Sequence, residues 1–177
     1  IDHTCTGITM VPPSQIEKAK KMFRVAYGHT SHGSQVISGM EALRKSNPSL
    51  FGFGREGNSL FLLDRTPQGD LGNPDRTTWA QRTRDLLNGQ GKDINLIMWS
   101  WCGQAGTAKE SDIQTYLDLM SGLEKEFPKV KFIYMTGHLD GSGRDGNLNR
   151  RNEQIREFCR KNGKILFDFA DIESFDP

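Results

Sequence analysis

Three short polar loops hold most of the residues of this chain that are able to do chemistry, and each loop follows an apolar run. They read Gly28-His29-Thr30-Ser31-His32-Gly33-Ser34, Ser100-Trp101-Cys102-Gly103-Gln104 and Thr136-Gly137-His138-Leu139-Asp140-Gly141. Three of the four histidines lie in them. A serine is a weak nucleophile until a base takes its proton. Ser31 is the leading candidate nucleophile, and His29, His32 and His138 are the candidate bases. Ser34 competes with Ser31, although it is equally suited to capping a helix. The Gly103 amide and the Gln104 side-chain amide are natural donors to a developing oxyanion. Together these residues are the inventory of an acyl-transfer or hydrolytic site. A second chemistry is open: His29-x-x-His32 with His138 and Asp140 offers zinc-type ligands, without the helix-face spacing of H-E-x-x-H. The stretch Asp140–Gly146 has acids and glycines but lacks the regular spacing of a calcium loop, so it reads as a turn.

The runs that precede these loops, Phe23–Tyr27, Ile94–Trp99 and Val130–Met135, have the length and composition of buried parallel strands. Two further strands are expected at Ser59–Leu63 and Lys164–Phe169. Helical spacing of apolar residues predicts helices over 15–22, 34–46, 110–126 and 148–161. Asn73-Pro74-Asp75 reads as the start of another helix, which stops at Gly89. Ser14 is a fair cap for the first helix, and 47–58 reads as loop. Strands alternating with helices predict an α/β fold, a three-layer α/β/α sandwich with a mainly parallel five-stranded sheet of flavodoxin-like type. All three polar loops then open on the carboxyl edge of that sheet, where ligands of such folds bind.

The 177 residues fit a single domain, 1–177, with an irregular N-terminal arm over 1–13. With 23 basic and 22 acidic side chains, a formal charge of +1 gives no reason to expect nucleic acid as a partner. No stretch has the apolar length of a membrane span. Cys5, Cys102 and Cys159 form no CxxC pair; a Cys5–Cys159 bridge and three reduced thiols are both open. The first residue is Ile1 rather than Met, which fits a removed export signal or a trimmed chain, and a secreted protein is expected. The end at Phe175-Asp176-Pro177 reads as a turn where a doubly wound domain adds a helix, so a longer natural chain is expected. Trp101 at the sheet edge is a candidate for stacking on a sugar ring.

Over residues 23–173 the chain resembles the SGNH/GDSL-type hydrolases. Gly28-His29-Thr30-Ser31 resembles a variant of their first block, Gly-Asp-Ser, with His in place of Asp. Gly103-Gln104 resembles a degenerate Gly-x-Asn-Asp block in which Gln supplies the amide. Phe167-Asp168-Phe169-Ala170-Asp171-Ile172-Glu173 resembles the segment ahead of the catalytic Asp-x-x-His. The resemblance implies a serine-dependent esterase needing no cofactor, acting on a small-molecule or carbohydrate ester. In it Ser31 attacks the carbonyl, and the Ser31 and Gly103 amides with the Gln104 side chain hold the oxyanion. The chain departs from the pattern in having no histidine after Asp168 or Asp171. The base is therefore His138, a histidine of the first loop, or one beyond residue 177, oriented by an acid such as Asp171. A non-catalytic extracellular glycan-binding domain and a metal-dependent hydrolase using His29, His32 and His138 are the alternatives.

Overall fold

The apolar runs become six parallel strands, β1 (Arg24–Gly28), β2 (Phe53–Gly54), β3 (Leu60–Asp64), β4 (Leu96–Trp99), β5 (Lys131–Met135) and β6 (Ile165–Phe167), in the order β2-β3-β1-β4-β5-β6. This is a computed structural model, and it describes residues 1–175. The helices are α1 (Pro13–Met22), α2 (Ser34–Ser46), α3 (Pro48–Phe51), α4 (Thr78–Asn88), α5 (Glu110–Glu126), α6 (Asn147–Asn162) and α7 (Phe169–Glu173). α4, α5 and α6 pack on one another over the β5–β6 half of the sheet, while α1, α2 and α3 pack together beside β3. The result is the expected α/β/α sandwich. Among the described residues no helix is long and apolar enough to cross a membrane.

The core lies on the α4–α6 side. Ile97 and Trp99 of β4 and Phe132 and Tyr134 of β5 face Trp79 of α4, Ile113, Tyr116, Leu117 and Met120 of α5, and Ile155 of α6. The aromatic rings run in tilted and edge-on contacts, Trp79 to Trp99 at 6.1 Å, Trp79 to Tyr116 at 5.8 Å and Tyr116 to Tyr134 at 6.0 Å between centroids. Their polar atoms are satisfied inside the core. The Trp99 Nε1–H donates to Thr83 Oγ1 at 2.9 Å, and Thr83 Oγ1 donates to the Trp79 carbonyl at 2.8 Å. Trp101 belongs to this core, 1% exposed and edge-on to Tyr116 at 5.3 Å, so it is not available to stack on a sugar.

Several local expectations are corrected. The stretch 47–58 contains α3 and the edge strand β2, giving the sheet a sixth strand. Asn73-Pro74 does not open α4; Asp75 accepts from the Thr77 and Thr78 amides, both at 2.7 Å, and the helix begins at Thr78. Pro13 occupies the first turn of α1 and no side chain caps it, so Ser14 is not its cap. A helix, α7, follows β6 directly where a turn was expected, and Asp176 and Pro177 lie outside the described residues. The three cysteines are free: Cys5 is exposed, Cys102 half-buried and Cys159 buried, so no Cys5–Cys159 bridge forms. Burial pushes the Cys159 thiol up to about 12, an inert core group.

Replacing Thr83 by Val keeps the shape of the core but leaves the Trp99 indole N–H buried without an acceptor. We expect a loss of about 1–3 kcal/mol in urea denaturation, mostly recovered by Thr83→Ser. A Val variant as stable as the parent would contradict this account.

Candidate functional site

From β1 the chain passes to β2 and then β3 on one side and crosses back to β4 on the other, so the strand order reverses between β1 and β4. A crevice at the carboxyl ends of such a pair is the usual ligand site of an open α/β sheet. The loop after β3 closes it from above: the Thr66 amide donates to the Tyr27 carbonyl and the Leu71 amide to the Ser100 carbonyl, both at 3.0 Å. All three polar loops open here, as their sequence positions required.

The loop after β1 sends its histidines in two directions. His29 is buried; its Nε2 meets Asp64 Oδ1 at 2.7 Å and its Nδ1 meets the Thr30 carbonyl at 2.8 Å. Thr30 Oγ1 donates to Asp70 Oδ2 at 2.5 Å, and Asp70 Oδ1 accepts the Gly72 amide at 2.8 Å. This chain of bonds ties the β1 loop to the β3 loop. It also leaves His29 no free nitrogen for Ser31. Ser31 is exposed beside a cavity of about 340 Å³ lined by His29, Thr30, Arg65, Gln68 and Gly69. Among the described residues no imidazole is hydrogen-bonded to its hydroxyl. Ser34 Oγ donates to the Ser31 carbonyl at 2.5 Å, which makes it a structural hydroxyl at the start of α2.

His32 turns the other way, into the β1–β4 crevice. Its Nδ1 lies 3.1 Å from Cys102 Sγ, and its ring stacks on His138 at 3.6 Å and 11°. His138 is 9% exposed and its Nδ1 contacts the Leu139 carbonyl at 2.7 Å. A carbonyl only accepts, so that contact puts the proton on Nδ1 and leaves Nε2 as a lone pair in the neutral ring. His138 Nε2 is buried and has no partner. Four other buried atoms without partners lie on the neighbouring loops: Ser100 Oγ, Trp101 Nε1, Gln104 Oε1 and Arg76 Nη1. Arg76 also reaches the Gln104 carbonyl through Nη2 at 3.3 Å. Buried polar atoms without partners are uncommon in native folds and call for a specific explanation. Gly103 is exposed with open space over its Cα, so a ligand can approach its backbone closely.

Asp171 orients a histidine, but that histidine is His3 of the N-terminal arm. Asp171 Oδ2 accepts from the His3 amide at 2.9 Å and lies 2.6 Å from His3 Nδ1. The His3 amide first, and then its ring, hold the Asp171 carboxyl below its ordinary value. Asp168 is engaged by the Arg156 guanidinium at 2.7 and 2.8 Å, and Glu173 accepts the Leu139 amide at 2.7 Å beside His138. The metal reading of His29, His32 and His138 loses its geometry, because His29 faces Asp64 rather than the other two. Among the described residues, only Asp2, His3 and Asp171 bring potential ligand atoms within 4.8 Å of one another.

Sequence reasoning missed Asp64, Asp70, His3 and the contact between His32 and Cys102. Asp64 ends a strand and carried a faint signal. The others are pairings across 40 to 168 positions with no local pattern. No protein-family model matches the chain, and no curated protein matches it either.

The docking of the arm predicts its own pH response. A carboxylate whose value is lowered on docking holds the arm above its ordinary titration range and releases it as pH falls through the lowered value. Asp171→Asn removes the charge at any pH. Protection of the His3 amide, taken relative to the intrinsic exchange rate at each pH, should fall in that variant at neutral pH and in the parent under acid. Unchanged protection in both would show that Asp171 does not hold the arm.

Proposed function

We propose that this chain is an acyl hydrolase of SGNH-like architecture, cleaving an ester at the β1–β4 crevice. The observation that carries the reading is His138. Its ring is buried, its tautomer is set by the Leu139 carbonyl, and its Nε2 lone pair has no partner. A general base needs such a nitrogen, fixed in direction and not already bonded. The ring stacked on it, His32, supplies a second imidazole within the same crevice. The exposed Gly103 backbone, open to close approach, is in keeping with an oxyanion donor, whereas the free atom of Gln104 is its Oε1, which only accepts.

The resemblance to the SGNH/GDSL-type hydrolases supports the reaction class and the carboxyl-edge position. It supplies a rim serine, Ser31, but no C-terminal histidine. The loop histidine His138 fills that role in this reading. The carbohydrate portion of the expected substrate rested partly on Trp101, and with that ring in the core the substrate class stays at an ester.

The test is turnover of p-nitrophenyl acetate and longer acyl esters by the parent chain and by His138→Gln. Loss of a general base costs about 10²- to 10⁴-fold in rate, and the fall should appear in kcat with KM little changed and thermal unfolding near that of the parent. If the parent cleaves no ester, or if His138→Gln keeps full turnover, the reading is wrong and a non-catalytic binding domain becomes the better account.

A further inference from the structure

We infer that the nucleophile of this crevice is the Cys102 thiol, paired with His32, rather than a serine hydroxyl; the inference rests on the acyl-transfer reading above. Four hydroxyl residues lie on the loops after β1 and β4, and none of their hydroxyls is hydrogen-bonded to an imidazole. Thr30 donates to Asp70, and Ser34 donates to the Ser31 carbonyl. Ser100 is fully buried at the end of β4. Ser31 stands open on the cavity rim, and no imidazole nitrogen is hydrogen-bonded to its hydroxyl. Cys102 alone has a base in contact, His32 Nδ1 at 3.1 Å from its sulfur. The thiol is half-buried rather than sealed, and it follows β4 at the point where the strand order reverses.

An isolated cysteine would carry no such role. The second observation is the His138 ring, nine-tenths buried, parallel to His32 at 3.6 Å and holding an unpartnered Nε2. The stack fixes the plane of His32, and so the direction of Nδ1 toward sulfur. It also provides a second lone pair that is not needed for the thiol. The two imidazoles then divide the reaction. Sγ attacks the ester carbonyl carbon while its proton passes to His32 Nδ1. The C–O bond to the alcohol breaks, and the leaving oxygen takes that proton from His32. The product of this half is a Cys102 thioester and a free alcohol. Water then attacks the thioester carbonyl, giving its proton to His138 Nε2. The C–S bond breaks, sulfur leaves as thiolate and takes up a proton from solvent, and His138 Nε2 releases its own to solvent. The sum is ester plus water giving acid plus alcohol, with no other reactant.

The other two cysteines supply internal references. Cys5 is an ordinary exposed thiol, and Cys159 is buried in the core. The experiment is iodoacetamide labelling of the parent chain at neutral pH, followed by peptide mapping over time. A thiol activated by an imidazole should react about tenfold faster than an ordinary exposed one, so Cys102 should outpace Cys5, and His32→Ala should bring it down to the Cys5 rate. Equal rates in the parent overturn the inference, whatever the chain does to esters. Ester turnover gives the second arm: it should vanish in Cys102→Ala and in parent chain alkylated at Cys102. Turnover that survives Cys102→Ala but vanishes in Ser31→Ala overturns the thiol assignment and leaves the acyl-hydrolase reading standing. A parent chain with no ester turnover but a fast, His32-dependent Cys102 keeps the activated thiol and removes the ester as its substrate.

Discussion

The site depends on how closely β1 and β4 approach at their carboxyl ends. Gly28 pairs with Trp99 in the sheet, and a Cβ on Gly28 would fall 2.2 Å from the indole ring. The indole therefore rests against the bare Gly28 backbone, and the next ladder bond runs from the Ser100 amide to the Gly28 carbonyl at 3.0 Å. Gly33 repeats the device one loop further on: its Cβ would meet Ser100 Oγ at 2.3 Å and His29 Cβ at 2.4 Å. The start of α2 is thus pressed onto the end of β4. Two side chains 70 positions apart, His32 and Cys102, meet because the two glycines let the backbones close up. A larger residue at either position must separate the loops before it changes anything else.

His29 and His138 show how the same local arrangement can serve opposite ends. Each places Nδ1 against the carbonyl of the residue that follows it, at 2.8 and 2.7 Å. That contact is made within two residues and fixes the ring without help from the fold. The difference lies at Nε2. The His29 nitrogen meets the Asp64 carboxylate, so the ring becomes a strut between the β1 and β3 loops. The His138 nitrogen meets nothing, and its second ring face is covered by His32. Burial without a partner is costly for a structural group and useful for one that must exchange a proton with a ligand.

Much of the fold was legible because parallel strands and amphipathic helices write themselves into local sequence. Ile94–Trp99 and Val130–Met135 are apolar runs of strand length, each with one polar residue near its start, Asn95 or Lys131, and Gly163 closes α6 in the left-handed conformation, φ 61°, that glycine favours. The edge strand β2 was missed because two residues, one of them glycine, leave no periodicity to read. The α4 start was misplaced because Asp75, rather than Asn73, accepts from the first helical amides. The three polar loops were found for the same reason as the strands before them. Their internal wiring was not, since Asp64, Asp70 and His3 gain meaning only from partners distant in sequence. Trp101 was misread for a physical reason: a residue just past a strand still lies over the sheet when the next turn folds back, and Tyr116 of α5 covers it.

The balance of satisfied and unsatisfied groups argues that this edge is built for a ligand rather than for stability. Around Trp79 and Trp99 even awkward donors have acceptors, as the Trp99–Thr83–Trp79 relay shows. At the carboxyl edge Trp101 Nε1, Gln104 Oε1 and His138 Nε2 stay unpaired although each is buried. Each such atom costs about 1–3 kcal/mol relative to a bonded one. Arg65, on the wall of the cavity beside Ser31, adds a non-glycine residue at φ 50°, a left-handed conformation that L-residues seldom adopt. Five of the eight buried side-chain atoms without a partner among the described residues, on Arg76, Ser100, Trp101, Gln104 and His138, lie on the loops of this edge, and local rules are broken in this clustered way where function breaks them in other folds. The stacked imidazoles sit at the centre of that crevice, with sulfur on one side and an open glycine backbone beside it. That arrangement is costly for a fold that binds nothing and well suited to one that must hold a carbonyl between a nucleophile and a base.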